Sequence, residues 1–234
     1  MEWLPFSTAE WVAIRLSLRV ATVAALTSLP LGILVAFVLA RKRFPGKALV
    51  DAVVHLPLVL PPVVTGYILL MLFGRRAPIG AFLEQTLGIV FSFRWTGAAL
   101  ACAVMGFPLM VRAIRLTMEA IDPRHEQAAQ TLGASPLWVF MTVTLPLAFP
   151  GVLAGIVLCF AKALGEFGAT ITFVANIPGE TQTIPSAIYT YTQVPGGDEG
   201  ALRLSVVAAL ISLCTLVVSE LIARRTGRRG VNIE

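Results

Sequence analysis

The chain has 234 residues, of which 57% are hydrophobic and 13% are charged, and its formal net charge is +5. A mean hydropathy of +0.83 over this length is typical of a membrane protein and excludes a soluble enzyme or binding module. The basic excess does not indicate nucleic-acid binding, because no basic run is interleaved with aromatic residues in a soluble region. We therefore predict one all-α, polytopic membrane domain over residues 1–234.

Five apolar stretches are long enough to cross a bilayer. Crossing about 30 Å of hydrocarbon takes roughly 20 residues of helix. The stretches lie near 12–40, 49–73, 96–118, 143–175 and 202–223. The fourth is long enough to contain a bend or a partly re-entrant end, because Gly165–Gly168 interrupts it. Five spans are predicted; six would require that stretch to cross twice.

Basic residues cluster after the first, third and fifth stretches. They are Arg41, Lys42, Arg43 and Lys47, then Arg112, Arg115 and Arg124, then Arg224, Arg225, Arg228 and Arg229. Basic residues near span ends stay in the cytoplasm and attract anionic lipid headgroups. We expect the N-terminus outside, the C-terminus in the cytoplasm, and membrane lipid as one partner.

The second stretch contains three prolines, Pro57, Pro61 and Pro62. Each removes a backbone donor and clashes with the preceding turn, which predicts a broken helix. Carbonyl groups freed inside the bilayer need protein or water as partners. We interpret Pro61, Pro62 and the following Thr65 and Gly66 as part of a translocation path. Ordinary helix packing is the alternative.

A polar segment follows the third stretch. Asp122 is suited to cap a helix that starts at Pro123, and Gly133 is suited to end it in the left-handed conformation. Ser135 and Pro136 repeat the signal for a helix start. We predict a helix of about ten residues outside the bilayer, followed at once by a helix that continues into the fourth stretch.

The fourth stretch contains two charged residues, Lys162 and Glu166. A charge at the centre of a spanning helix costs about 2.5–3.5 kcal/mol, and the four-residue spacing predicts that these two pair with each other. The alternative is that they lie on the path and exchange partners as it opens, with Thr170 and Thr172 continuing it. The same spacing predicts an ion pair between Lys47 and Asp51 at the start of the second stretch.

The polar segment resembles the EAA loop of ABC importer permeases. The matching residues are Gln127-Ala128-Ala129, then Gly133, then Val143-Thr144-Leu145-Pro146. In that family the loop docks onto a cytoplasmic ATPase, so the resemblance implies a coupling loop at 119–142. The implied docking residues are Arg124, Glu126, Gln127, Ala128, Ala129, Leu132 and Gly133. Where the family pattern has Glu this chain has Gln127, so either the neighbouring Glu126 reaches the ATPase or the contact is a neutral hydrogen bond.

Three further stretches, at 44–67, 106–115 and 163–190, resemble the molybdate importer permeases. Tungstate and sulfate/thiosulfate permeases share much of this pattern and remain alternatives. The resemblance implies a type I ABC importer permease fold in a bacterial inner membrane. It also implies a homodimer, a cytoplasmic ATPase dimer, and an extracytoplasmic oxyanion-binding protein that meets the loops at 74–95 and 176–201.

The sequence contains no G-x-x-x-x-G-K-[ST] phosphate loop. We therefore expect ATP to bind a separate subunit, with no catalytic residue, cofactor or metal site in this chain. An ion-coupled secondary transporter is the rival interpretation, since it too uses broken helices and intramembrane charges. An intramembrane enzyme is the third, but no nucleophile and base stand at a suitable spacing.

Overall fold

The computed structural model describes residues 6–230, without the side chains of Ser219 and residues 222–230. Within that range the chain forms helices and no strand. The helices are α1 (Thr8–Arg41), α2 (Lys47–Val59), α3 (Pro62–Phe73), α4 (Pro78–Leu87), α5 (Trp95–Ala120), α6 (Pro123–Thr131), α7 (Pro136–Val139), α8 (Leu145–Leu147), α9 (Phe149–Leu164), α10 (Gly168–Val174), α11 (Ile184–Thr192) and α12 (Asp198–Gly230). A π-helical turn, Phe140–Thr144, joins α7 to α8.

Helices α1, α5 and α9 pack against one another and form the centre of the subunit. Small residues fill their contacts, because close backbone approach is the main source of helix association in lipid. A Cβ added at Gly106 of α5 would lie 2.6 Å from the Cys159 sulfur of α9. A Cβ added at Gly155 would lie 3.1 Å from the Met110 carbonyl oxygen. These glycines therefore set the separation between α5 and α9.

The second apolar stretch is broken as predicted. Helices α2 and α3 are bent by 113° relative to each other, and α3 begins at Pro62. The Leu60 N–H still bonds to the Leu56 carbonyl, but Pro61 and Pro62 cannot continue this pattern because they carry no N–H. Because of this break, α3 runs in a different direction from α2 and packs against α10.

The fourth stretch is broken twice. The helix predicted to start at Pro136 and run into this stretch is present as Pro136–Leu147, but it ends at a bend before α9. The segment Pro136–Leu147 and helix α9 are bent by 68° at Ala148. The π-helical turn precedes this bend, and Pro150 cannot donate to the carbonyl group four residues before it. The second break, at Gly165, was expected. Helix α10 beyond it has seven residues and rises only about 10 Å, so it does not cross a bilayer.

Three helices are each long and apolar enough to span a membrane: α1, α5 and the segment Asp198–Val218 of α12. When each bent pair is counted as one span, the described residues supply up to five. This agrees with the predicted number. The loops at 74–95 and 176–201 each contain a helix that we did not predict, α4 in the first and α11 in the second. The arginine side chains at 224, 225, 228 and 229 lie outside the described residues.

A methyl group at Gly106 should loosen the subunit. Gly106→Ala places a Cβ against Cys159 of α9, and such overpacking costs about 1–3 kcal/mol. We expect a lower midpoint of thermal unfolding in detergent, measured by loss of the monodisperse peak. Gly165→Ala is the matched control, since its Cβ would meet nothing closer than 4.0 Å. Equal midpoints for the two variants would contradict the close α5–α9 packing.

Candidate functional site

Helix α6 forms where the cap signals predicted it. The Asp122 carboxylate accepts a hydrogen bond of 2.9 Å from the backbone N–H of Arg124, and Pro123 is the first helical residue. Gly133 follows the helix with a φ of +88°, a conformation that side chains disfavour. Ser135 then accepts a hydrogen bond from the N–H of Trp138 and starts α7. The short helix between two spans is therefore confirmed.

The candidate docking residues divide between two faces of α6. Arg124, Gln127 and Ala128 are exposed, and Leu132 after the helix is 88% exposed. Glu126 and Ala129 turn partly inward. Neighbouring helical positions point about 100° apart, so Glu126 and Gln127 point in different directions. The exposed face carries the amide of Gln127 and no carboxylate.

Glu126 connects α6 to two other elements. Its Oε1 lies 2.9 Å from an Arg41 guanidinium nitrogen at the end of α1, and accepts a hydrogen bond of 2.9 Å from the Thr144 hydroxyl. Arg41 also donates to the Ile121 carbonyl oxygen at 3.3 Å. The side chains of Arg41 and Glu126 are only 14% and 17% exposed. We call Arg41, Glu126 and Thr144 the α6 clamp, because together they fix α6 to α1 and to the π-helical turn.

Sequence reasoning missed an apolar surface beside α6. Leu137, Trp138 and Met141 are each more than half exposed, and they lie on α7 and the π-helical turn just after Gly133. In the sequence, the only sign of this surface is that three large apolar residues follow the predicted helix start at Pro136. Together with Leu132, these residues give the α6 end of the subunit exposed apolar surface.

The predicted intramembrane ion pair is present. The Lys162 ammonium group donates to Glu166 Oε2 at 2.7 Å, and Glu166 is 2% exposed. The other carboxylate oxygen, Oε1, accepts a hydrogen bond of 3.0 Å from the backbone N–H of Ala169 in the first turn of α10. A carboxylate is favourable at a helix N-terminus. The pair therefore holds the end of α9 to the start of α10 across the break at Gly165.

The other candidate path residues meet where α3 crosses α10. A Cβ added at Gly66 would lie 2.9 Å from the Thr172 Cβ, and one added at Gly168 would lie 2.8 Å from the Pro62 ring. The structure thus brings Pro62 and Gly66 against α10. Pro61 and Pro62 are exposed beside this crossing.

Two of the hydroxyl groups proposed for the path belong to buried residues, and the third, that of Thr172, is partly buried. Thr170 is buried and donates to the Phe167 carbonyl oxygen at 2.9 Å, and Thr172 donates to Gly168 at 2.8 Å. Thr65 is also buried, and its hydroxyl has no hydrogen-bond partner among the described residues. A buried polar atom without a partner is costly. The hydroxyls of Thr170 and Thr172 are therefore engaged within α10 and its N-terminal flank, whereas that of Thr65 is not.

One predicted ion pair is wrong. Asp51 does not pair with Lys47 but lies 2.8 Å from Arg115 of α5 and 3.4 Å from the His55 ring. Arg115 also bonds Glu119 at 2.7 Å. The tertiary contact prevails because Arg115 offers several donors to two carboxylates at once.

Comparison with known proteins defines the class to which this chain belongs. A model of the family "binding-protein-dependent transport system inner membrane component" matches residues 28–228. The chain is 59% identical over 221 residues to the molybdenum transport system permease protein ModB of Escherichia coli K12, covering 94% of this chain and 96% of that protein. It is 40% identical over 223 residues to the sulfate transport system permease protein CysW of Synechococcus elongatus. This match covers 93% of this chain and 76% of that protein.

The fold agrees with this assignment. A bacterial alginate ABC transporter, crystallised with an alginate-bound periplasmic protein, matches with a TM-score of 0.68 at 18% identity, over 97% of this chain and 81% of that chain. The chain therefore belongs to the binding-protein-dependent transport family and is the permease subunit of an ABC importer. It is a multi-pass inner-membrane protein.

Removing the Glu126 carboxylate should release α6. In Glu126→Ala the largely buried Arg41 guanidinium loses its counter-charge, at a cost of about 1–3 kcal/mol. We expect faster hydrogen exchange of the α6 amides, measured by mass spectrometry in detergent. Gln127→Ala, at the exposed neighbouring position, should exchange like the unmodified protein. Equal protection of α6 in both variants would show that the α6 clamp does not hold the helix.

Proposed function

We propose that this chain forms the transmembrane path for molybdate in an ATP-driven importer. The observation that carries the proposal is the 59% identity to a molybdenum permease over nearly the whole of both chains. The identity to a sulfate permease is 40%. Sulfate, thiosulfate and tungstate resemble molybdate in charge and shape, so they are the competing substrates.

The proposed motor is a dimer of separate ATPase subunits that binds the exposed face of α6. Arg124, Gln127, Ala128 and Leu132 are accessible there, whereas Glu126 is engaged by Arg41 and Thr144. Contact through the Gln127 amide, a neutral hydrogen bond, is therefore favoured over contact through Glu126. Gly133 has a positional role, since it ends α6 and directs the chain into α7. ATP binds the partner, and this chain contributes no cofactor or catalytic group.

The proposed assembly is a two-fold homodimer with the path between the copies. The exposed face of α3, which includes Pro62, Val63 and Tyr67, is unpaired in one subunit and suits contact with a second. Separation of α3 from α10 would expose the unbonded hydroxyl of Thr65 and the groups around Thr172. Hydroxyls and backbone N–H groups suit an oxyanion that must bind weakly enough to leave.

The proposed orientation puts the N-terminus outside and both α6 and the C-terminus in the cytoplasm. Its support is the distribution of basic residues at the span ends. The outer loops with α4 and α11 then face an extracytoplasmic oxyanion-binding protein. The alginate transporter, crystallised with its periplasmic protein, is a precedent on the same fold.

Gly133→Val tests the docking proposal. Valine resists the left-handed conformation at this position, which misdirects the chain after α6. We expect normal membrane insertion but reduced co-purification with the ATPase and reduced uptake. Gly179→Val is the matched control, because Gly179 also has a positive φ with open space around it and lies in an outer loop. Equal ATPase yields for the two variants would count against docking at α6.

Substrate competition tests the cargo. In proteoliposomes containing the ATPase and the cognate binding protein, labelled molybdate should accumulate only with ATP, and excess molybdate or tungstate should compete better than sulfate. Uptake that persists without the ATPase would instead indicate a secondary transporter. Stronger competition by sulfate than by molybdate would reassign the oxyanion.

A further inference from the structure

A basic cavity lies between the end of α1 and the inner side of α6. It encloses about 520 Å³, and its polar lining includes Arg41, Lys42, Arg43, Lys47, Glu126 and Thr144. Four of these side chains are cations and one is a carboxylate. The carboxylate is already engaged by Arg41 and Thr144 in the α6 clamp. The cavity therefore carries a positive charge that the side chains described around it do not neutralise.

The other three cations have no acidic partner among the described residues. Of the carboxylate oxygens in the described part of the chain, none lies within 4.0 Å of the charged groups of Lys42, Arg43 or Lys47. The spacing predicted Asp51 as the partner of Lys47, but Asp51 forms an ion pair with Arg115 instead. Three unpaired cations around one cavity favour an external anion.

An apolar groove opens directly from this cavity. It has a volume of about 500 Å³ and runs between α1 and the α7–α8 segment. Its apolar lining includes Pro30, Ile33, Leu34, Leu137, Met141 and Leu145. Phe37, Lys42, Pro136 and Phe140 line both the cavity and the groove. The two spaces therefore form one continuous site with a cationic end and an apolar end.

The groove extends into the membrane-spanning part of α1. Phe37 and Pro30 are seven residues apart, which is about 10 Å along a helix. The cationic end lies at the last residue of α1 and in the turn after it, where a span leaves the bilayer. The site thus has polar and apolar ends in the same order as a phospholipid headgroup and its acyl chain.

We propose that this site binds a phospholipid with an anionic headgroup, of the phosphatidylglycerol class. Lys42, Arg43 and Lys47 bind the phosphate, and one acyl chain lies in the groove beside Leu34 and Met141. A soluble anion would satisfy the cations alone, whereas the groove requires an amphiphile. Because the cavity is lined by Glu126 and Pro123, the bound headgroup lies against α6. The lipid site does not depend on what α6 docks.

The test measures lipid retained by the purified full-length chain. The chain is exchanged into detergent, supplied with phosphatidylglycerol or phosphatidylcholine, and examined by native mass spectrometry. We expect preferential retention of phosphatidylglycerol. Arg43→Gln should weaken it about fivefold, since one basic residue at a membrane surface contributes roughly that factor. Arg112→Gln, an exposed arginine outside the cavity, should leave retention unchanged.

A second pair of variants separates a lipid from a soluble anion. Leu34→Trp fills the groove without altering a charge and should lower phosphatidylglycerol retention, whereas Leu26→Trp, equally exposed on α1 but outside the groove, should not. Equal retention by Arg43→Gln and Arg112→Gln would overturn the proposal. Displacement of the lipid by millimolar inorganic phosphate, with no effect of Leu34→Trp, would overturn it in favour of a soluble-anion site.

Discussion

The structure depends on one constraint: polar groups inside hydrocarbon must find partners within the protein, since the lipid offers none. Both broken spans follow this rule. At the first break α10 packs against Pro62, and at the Gly165 break the Glu166 carboxylate accepts the N–H of Ala169. Each of these two interruptions is thus accompanied by a contact that bridges it. The short helix α10 takes part in both contacts and links the second span to the fourth.

The same constraint explains why Lys162 and Glu166 are tolerated. A lone charge at this depth would be expensive, but here the carboxylate receives two donors, one from Lys162 and one from the α10 backbone. Removing Lys162 would leave the buried Glu166 carboxylate without a counter-charge, and removing Glu166 would leave the partly buried Lys162 without one. The pair therefore stabilises a particular arrangement of α9, α10 and the intervening turn. A movement of α10 away from α3 must either carry this pair along or break it.

The α6 clamp connects the exposed end of the subunit to this interior. Arg41 belongs to α1, and Thr144 ends the π-helical turn that leads through the 68° bend into α9. A displacement of α6 would thus act on two spans at once. π-helical turns are frequent at functional sites because their hydrogen bonds are readily rearranged. In this chain the π-helical turn is the one element between α6 and α9 whose hydrogen-bond pattern departs from the α-helix.

Local features of the fold were predictable from sequence and distant contacts were not. The caps at Asp122 and Ser135, the left-handed Gly133 and the break after Leu60 follow from the conformational limits of single residues. The Lys162–Glu166 pair was predicted from spacing, but the same spacing failed for Lys47 and Asp51. Asp51 pairs instead with Arg115, which is 64 residues away in the sequence. The partner of Glu126 is 85 residues away, beyond any periodic signal.

In the EAA-like pattern Glu126 and Gln127 stand side by side, and the structure gives the two side chains different surroundings. A helix presents positions 126 and 127 to different directions, so the carboxylate at 126 serves the α6 clamp and cannot also serve the exposed face. That face is left with the Arg124 cation and the neutral Gln127 amide. A partner surface at this face would complement Arg124 with an acceptor, whereas the Gln127 amide can both donate and accept a hydrogen bond. Specific pairing at α6 would rest on hydrogen bonds of the Gln127 amide and on contact with the exposed Leu132 side chain. Electrostatic attraction would come from an acidic residue of the partner that lies opposite Arg124.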